Sequence, residues 1–374
     1  MTRNASPPTT FFVHLHSVRG IAALLVVANH IAAKKSFFPA IPYCGLDTFF
    51  EHTGVLGLTI FFCLSGFLIT HLLLTEQQTK GNISVKKFYI RRALRIWPLY
   101  YLIILLGHFL LPMLVNSQFE GGQPSQYFAV KSLLYLLLLP NYVLFLFKPH
   151  NPYIDVTWSV GVEEQFYLLW PWIIKYTKHL VWVCGILILL QALAEIATHF
   201  LAQKPLYQTT WYFANKLFRA LEWTRCGYFA CGALAALWLH HPPKWLSAVV
   251  RVAPFIFLAT VCWVWHHPYL LHYVLLAMTY SIFQIWLVQQ PNNQPNALGN
   301  LLQWLGNISY SLYLWHCMVI IGVFAIVSAY WPNTPGAAWL VYPIAIGFAC
   351  GTSSLSYTYF EKYFIHLKNT YGIR

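Results

Sequence analysis

Apolar residues in this chain come in long runs, not in alternation. Between Val18 and Thr358, stretches of about 17–25 residues with almost no charge recur, separated by short polar connections. They centre on residues 18–33, 55–74, 98–115, 129–147, 160–176 and 180–200, then on 224–239, 251–266, 269–289, 303–329 and 336–358. A helix needs runs of that length to cross a bilayer. A transmembrane barrel would instead show short alternating strands, and lipid-exposed backbone has few other ways to satisfy itself. The pattern predicts an all-α polytopic integral membrane protein, a bundle of about 10–11 transmembrane helices, one of which could be re-entrant or half-length. No cleavable signal, internal repeat or long linker interrupts it, so residues 1–374 are read as one membrane domain.

Composition agrees. The chain is 58% hydrophobic and 9% charged, with a mean hydropathy of +0.55; soluble domains carry about 25% charged residues. The net charge of +13 comes from 23 Lys and Arg against 10 acids. Its placement predicts orientation, because cytoplasmic loops collect the cations. Residues 76–97 hold Lys80, Lys86, Lys87, Arg91, Arg92 and Arg95 against one acid. That loop is expected in the cytoplasm, and the N-terminus with it. Residues 204–225 and the tail with Lys362, Lys368 and Arg374 are expected on the same side. Residues 34–53, balanced by Asp47 and Glu51, are expected outside, with Lys34 and Lys35 meeting an anionic glycan or lipid. A cytoplasmic tail requires an even number of spans; eleven do not supply it, and residues 134–172 are where the count would change. Eight scattered cysteines form no C-x-x-C pair, so neither a metal site nor a disulfide framework is expected. The 16 Trp and 24 Tyr crowd the span ends like an interfacial belt. Lipid is the expected surroundings; no nucleic-acid partner is.

Polar residues inside spans are expensive and therefore informative. The first span reads "SVRGIAALLVVANHIAA". Arg19 and His30 stand about 16 Å apart along a helix. An imidazole at that depth would be neutral and able to accept a proton; it could equally be a structural histidine bonded to a neighbouring helix. In "FYIRRALRIWPLYY", Arg91, Arg92 and Arg95 offer forks that suit phosphate oxygens, or that merely anchor the helix at anionic headgroups. In "WSVGVEEQFYLLWP", Glu163 lies five residues after Trp158 and four before Tyr167, at a helix entry that Ser159 could cap. Capping accounts for one acid of the Glu163–Glu164 pair. A carboxylate that holds a histidine or balances an arginine accounts better for two. "ISYSLYLWHC" brings Ser309, Tyr310 and His316 into another span, and "FFCLSGFLIT" brings Ser65 and Gly66. For both, close helix packing is a sufficient reason. Glu195 has no evident role, and Glu361 is expected to face headgroups. No H-E-x-x-H, G-x-S-x-G or P-loop pattern occurs.

Taken together, these stretches resemble membrane-bound acyltransferase family 3, whose members include O-acetyltransferases of bacterial surface polysaccharides. The resemblance runs from about residue 15 to 364. It rests on Arg19 and His30 in "SVRGIAALLVVANH", on "FFCLSGFLI", on "FYIRRALRIWP", on "WSVGVEEQFY" with Glu163 as the matching acid, and on "SYSLYLWH". The chain departs from the family pattern at Thr59 and Ile60, where an aspartate often stands, and at "EKYF", which lacks a proline.

The resemblance implies a single acyltransferase membrane domain in the bacterial inner membrane, here expected without an attached soluble domain. It implies acetyl-CoA as the cytoplasmic acyl donor. The implied acceptor is a hydroxyl of a cell-surface glycan or lipid-linked sugar, such as lipopolysaccharide or exopolysaccharide. Arg19, Arg91, Arg92 and Arg95 would then hold CoA phosphates, and His30 would act as general base or transient acyl carrier with Glu163 orienting it. Trp158, Ser159, Tyr167, Ser309, Tyr310 and His316 would line or support the acceptor site. The alternative is a membrane transporter of a glycan or anion, without acyl-transfer chemistry, although the repeat symmetry of many transporters is missing.

Overall fold

A chain this apolar closes its backbone hydrogen bonds within each segment, so helices dominate. The computed structural model describes residues 12–115, 127–147, 150–202, 212–266, 272–291 and 296–370. α1 (Val13–Lys34) runs into a short turn at Lys35–Phe37 and is followed by α2 (Gly45–Phe50). α3 (Thr53–Lys80) stops at Gly81, whose φ of 71° supplies a left-handed cap. α4 (Val85–Ile104) passes through a π-helical segment, Leu105–Leu110, into α5 (Leu111–Val115). Two short helices follow, α6 (Phe128–Leu136) and α7 (Pro140–Leu146), before α8 (Trp158–Tyr176), α9 (Leu180–Ala202) and α10 (Tyr212–Trp223). The rest comprises α11 (Cys226–His240), α12 (Leu246–His266), α13 (His272–Gln289), α14 (Ala297–Tyr330), α15 (Pro335–Leu355) and, beyond a π-helical segment, α16 (Lys362–Thr370). Among the described residues there is no strand.

Among the described residues, seven helical stretches are long and apolar enough to cross a membrane, and Tyr273–Gln289 is a shorter apolar one. Counting α8 and α11, of 19 and 15 residues, gives ten candidate passes among the described residues. This is the multi-pass α-helical membrane protein that the hydropathy predicts. α1 packs between α3 and α14; α14 lies on α15, α3 on α11, and α11 on α9 and α13. Leu168, Leu169, Trp182, Leu189 and Phe255 face outward, while His316, Ser311 and Gln284 are fully buried. Apolar side chains toward lipid and polar ones toward the axis are what a bilayer solvent selects.

The close α3–α11 crossing depends on two glycines. A Cβ on Gly66 would run into the Phe229 carbonyl, and one on Gly232 into that of Cys63. Backbone cannot yield as a flexible side chain can. Gly66→Ala is therefore expected to cost about 1–3 kcal/mol, read as a lower unfolding temperature in detergent. Gly185→Ala on α9, where nothing lies within 4 Å, should be neutral or slightly stabilising. Equal unfolding temperatures for the two variants would show that the crossing is not tight.

The structure corrects the sequence reading in several places. Residues 129–147 do not form a span. They break at Leu137–Leu139, where Leu138 takes a left-handed φ of 60° and Pro140 opens α7 as a new helix. Losing that pass reverses the side that eleven spans would assign to everything after it. Accordingly, the Trp223 ring at the end of α10 lies 5.2 Å from Trp158 and 6.2 Å from Phe145, and Arg225 sits over Trp158. The basic stretch up to Arg225, of which residues 203–211 lie outside the described residues, thus ends beside the head of α8. It does not join the Glu76–Arg95 cluster, although the positive-inside pattern placed it there. Ten passes restore the even number that a tail on the N-terminal side needs. Lys34 and Lys35 are likewise not a basic outer patch: both are buried and paired with carboxylates. Finally, Thr157 occupies the N-cap position of α8, and Ser159 lies inside the helix.

Candidate functional site

α1 carries polar groups at both ends, and each end meets different helices. At the Arg19 end, Arg19 lies within electrostatic reach of Glu163, Tyr167, Arg92 and Arg95. Glu163 accepts hydrogen bonds from Ser65 at 3.2 Å and Tyr167 at 2.9 Å. The three α4 arginines part ways. Arg91 pairs with Glu76 at 3.4 Å, Arg92 turns inward over the Tyr167 ring at 5.4 Å, and Arg95 is exposed. Arg91 and Arg95 share a helix face at i, i+4, but the Glu76 carboxylate draws Arg91 to itself.

Two cavities open here. One of about 490 Å³ lies between α4, α8 and the Leu137–Leu139 break, bordered by Arg92, Trp97, Glu164 and Tyr167. Glu164 accepts the Trp97 indole N–H at 3.0 Å, while its other oxygen is buried with no protein partner. The second, of about 40 Å³, runs past Arg19, Phe61 and Glu163 to Ser159 and Tyr313.

At the opposite end of α1, His30 faces His316 of α14. The rings lie 4.9 Å apart between centroids, with His30 Nδ1 3.3 Å from His316 Nε2. Nδ1 of His30 lies 2.9 Å from the Val26 carbonyl, and Nδ1 of His316 lies 3.1 Å from that of Leu312. Carbonyls only accept, so both Nδ1 atoms carry the proton and both Nε2 atoms a lone pair. Around the pair stand three more groups. Lys34, one turn beyond His30, donates to the Pro152 carbonyl at 2.7 Å and pairs with Asp155 at 3.3 Å. Cys317 Sγ lies 3.5 Å from His316 Nε2 and 3.8 Å from Asp155 Oδ1, and interacts with Lys34.

His30, His316 and Cys317 offer ligand atoms within 4.8 Å of one another, the one such triad among the described residues. The Lys34 ammonium beside it counts against a cation there, since like charges repel strongly where water is scarce.

The expected contact between Glu163 and His30 is therefore not formed. Glu163 lies eight residues beyond Asp155, which stands in the helical turn Asp155–Thr157 that leads into α8, so it is about 12 Å further along the axis. The Lys34–Asp155 pair fixes the start of α8 at the depth of His30, which leaves Glu163 level with Arg19. The other expected site residues hold the frame. Trp158 packs against Phe62 and Trp223, and Ser159 donates to the Tyr313 hydroxyl at 2.7 Å, which donates in turn to the Val156 carbonyl at 3.0 Å. Ser309 bonds back to Gly306 of its own helix, and Tyr310 ties α14 to the Ile96 carbonyl of α4. Asp155 and Cys317 are additions that no motif marks. Lys34 alone was legible, because it follows His30 by four residues and so shares its helix face.

Residues 13–358 match the family described as an acyltransferase domain, acyltransferase family 3. Among curated proteins the chain is similar to a peptidoglycan O-acetyltransferase of Listeria monocytogenes, OatA, at 23% identity over 353 residues, covering 89% of this chain and 53% of the relative. A putative peptidoglycan O-acetyltransferase of Bacillus subtilis, YrhL, is 26% identical over 82% of this chain and 48% of its own length. A putative O-acetyltransferase of Staphylococcus aureus is 26% identical over 94% of the chain and 56% of its own. The chain thus spans about half the length of the curated relatives it matches. No solved structure matches. With a bundle of apolar helices, Arg19 and His30 at opposite ends of one of them, and a family match that covers nearly all of the chain, this chain belongs to acyltransferase family 3.

Proposed function

We propose that this chain transfers an acyl group, acetyl in the simplest case, from cytoplasmic acyl-CoA to a hydroxyl of a cell-envelope glycan. The observation that carries this reading is the His30–His316 pair, joined to an arginine-rich end by a single helix. Arg19 and Arg92 border cavities at one end, where CoA phosphates would be held. His30 stands at the other, about 16 Å away, a separation of the order of a phosphopantetheine arm.

The chemistry follows from the tautomers. His30 Nε2, with its lone pair free, takes the proton of the acceptor hydroxyl as that oxygen attacks the acyl thioester. The imidazolium so formed lies within electrostatic reach of Asp155, which takes over the stabilising role that the sequence assigned to Glu163. Glu163 instead balances Arg19 and fixes Tyr167 beside Arg92. Similarity to peptidoglycan O-acetyltransferases makes peptidoglycan the acceptor of first choice; lipopolysaccharide and exopolysaccharide share the same reacting hydroxyl. The protein would sit in the bacterial inner membrane with the arginine end in the cytoplasm.

The test is transfer from labelled acetyl-CoA by purified protein in detergent, with and without cell-envelope glycan. Glycan-dependent release of CoA by wild type supports the reading. No release and no CoA binding would favour a transporter. Donor binding makes its own prediction. Arg92→Gln should weaken acetyl-CoA affinity about tenfold, the loss of one charge-assisted contact to phosphate. Arg91→Gln, whose guanidinium already has Glu76, should change it less. Titration calorimetry in detergent reads both, and unchanged affinity in Arg92→Gln would return that residue to packing.

A further inference from the structure

We propose that Cys317 carries the acyl group between donor and acceptor, as a thioester on its Sγ. The inference rests on the acyltransferase reading above and adds a covalent intermediate to it. Cys317 is fully buried, and it does not stand alone. Its sulfur faces the unprotonated Nε2 of His316 at 3.5 Å, and the Leu312 carbonyl fixes that tautomer. A nucleophile beside a base that is itself oriented by a third group is the arrangement of an activated thiol. Lys34, with its interaction to the same sulfur, sets a positive charge where a thiolate would form.

Position argues for it as well. Ser309, Tyr313, His316 and Cys317 descend one face of α14. Arg19, Ser159 and Tyr313 line the same small cavity, and Tyr313 stands one turn before Cys317 on α14. A donor thioester threaded along that line meets Cys317 and His30 together. Two unprotonated Nε2 atoms, that of His316 shared with the His30 Nδ1–H at 3.3 Å, then serve two separate proton transfers.

The steps balance. His316 Nε2 takes the Cys317 thiol proton, and the thiolate attacks the acyl carbonyl of acyl-CoA. The C–S bond to CoA breaks, and CoA leaves as its thiol with the proton held by His316. One thioester has replaced another at little change in free energy. The acceptor hydroxyl then gives its proton to His30 Nε2 and attacks the acyl-Cys317 carbonyl. Cys317 thiolate leaves and recovers a proton from the imidazolium.

The test uses the whole chain in detergent with labelled acetyl-CoA and no glycan. Wild type should exchange label between acetyl-CoA and free CoA, which a direct transfer cannot do. His30→Ala should accumulate label that neutral hydroxylamine releases and that peptide mass spectrometry places on Cys317. Cys317→Ala should take no label and lose at least about 100-fold of glycan acylation, with acetyl-CoA affinity within about twofold of wild type. The proposal is overturned if wild type turns over with glycan yet shows no exchange and no label, or if the label sits on another residue; the acyltransferase reading survives either result. It is also overturned if Cys317→Ala transfers at close to the wild-type rate. Absence of both exchange and glycan-dependent release in wild type would sink the relay and the acyltransferase reading together. Because exchange and labelling are read in wild type and His30→Ala, the outcome does not depend on how well Cys317→Ala folds.

Discussion

Replacing His30 with alanine should lower glycan acylation by about 10²–10⁴-fold, the usual worth of a general base. Acetyl-CoA affinity should stay within about twofold, since the donor's phosphates would be held at the far end of α1. The comparison of kcat with donor KM reads this split directly. His30 is half-buried and bonded to Val26 of its own helix, so its removal disturbs no inter-helix bond except the one to His316. A fall in donor affinity as large as the fall in kcat would mean that His30 positions CoA rather than moving a proton. His30→Gln keeps a polar group of similar reach but cannot take the proton, and it should be as slow as alanine. Recovery of activity in the glutamine variant would make the residue a hydrogen-bonding support.

Lys35→Met should have the largest effect on stability, about 3–5 kcal/mol, because it leaves a buried carboxylate without its counter-charge. Lys35 has no exposed side-chain surface and meets Asp47 at 2.8 Å, and it also donates to the Ala338 carbonyl of α15. Asp47 in turn accepts from the Cys44 amide and, at 2.8 Å, from the Tyr342 hydroxyl. One ion pair therefore ties the end of α1 to α2 and α15. The double variant Lys35→Met with Asp47→Asn should regain much of the loss, since the amide keeps an acceptor oxygen and carries no charge. Unfolding temperatures of the three proteins in one detergent decide the matter. A single variant as stable as wild type would show that Asp47 reaches water. The same reasoning makes Lys34–Asp155 a frame for the histidine pair, though Asp155 is partly open to solvent and its loss should cost less.

The class of protein was legible along the chain because bilayer crossing is a local requirement. Run length and charge scarcity suffice to announce helices, whatever packs against them. Arg19 and His30 were legible for the same reason: a charge or an imidazole inside such a run has to answer to something. The close packing expected of Gly66 also held, because a missing Cβ is a statement about approach. What the sequence misjudged was which polar group answers which. Residues 129–147 carry the composition of a span, and only the backbone at Leu138 and Pro140 shows that they turn back. From that one break came the wrong side for the stretch ending at Arg225. Glu163 carried the expectation of a partner for His30, yet the Lys34–Asp155 pair sets the depth of α8 and gives Glu163 to Arg19 instead. Cys317 and Asp155 lie 162 residues apart, and no periodicity links them. Sequence alone determined that this is a helical membrane protein with an arginine and a histidine in its first helix. The tertiary structure decided the partners of that histidine, because depth along a helix is read locally while register between helices is set by pairs that only packing brings together.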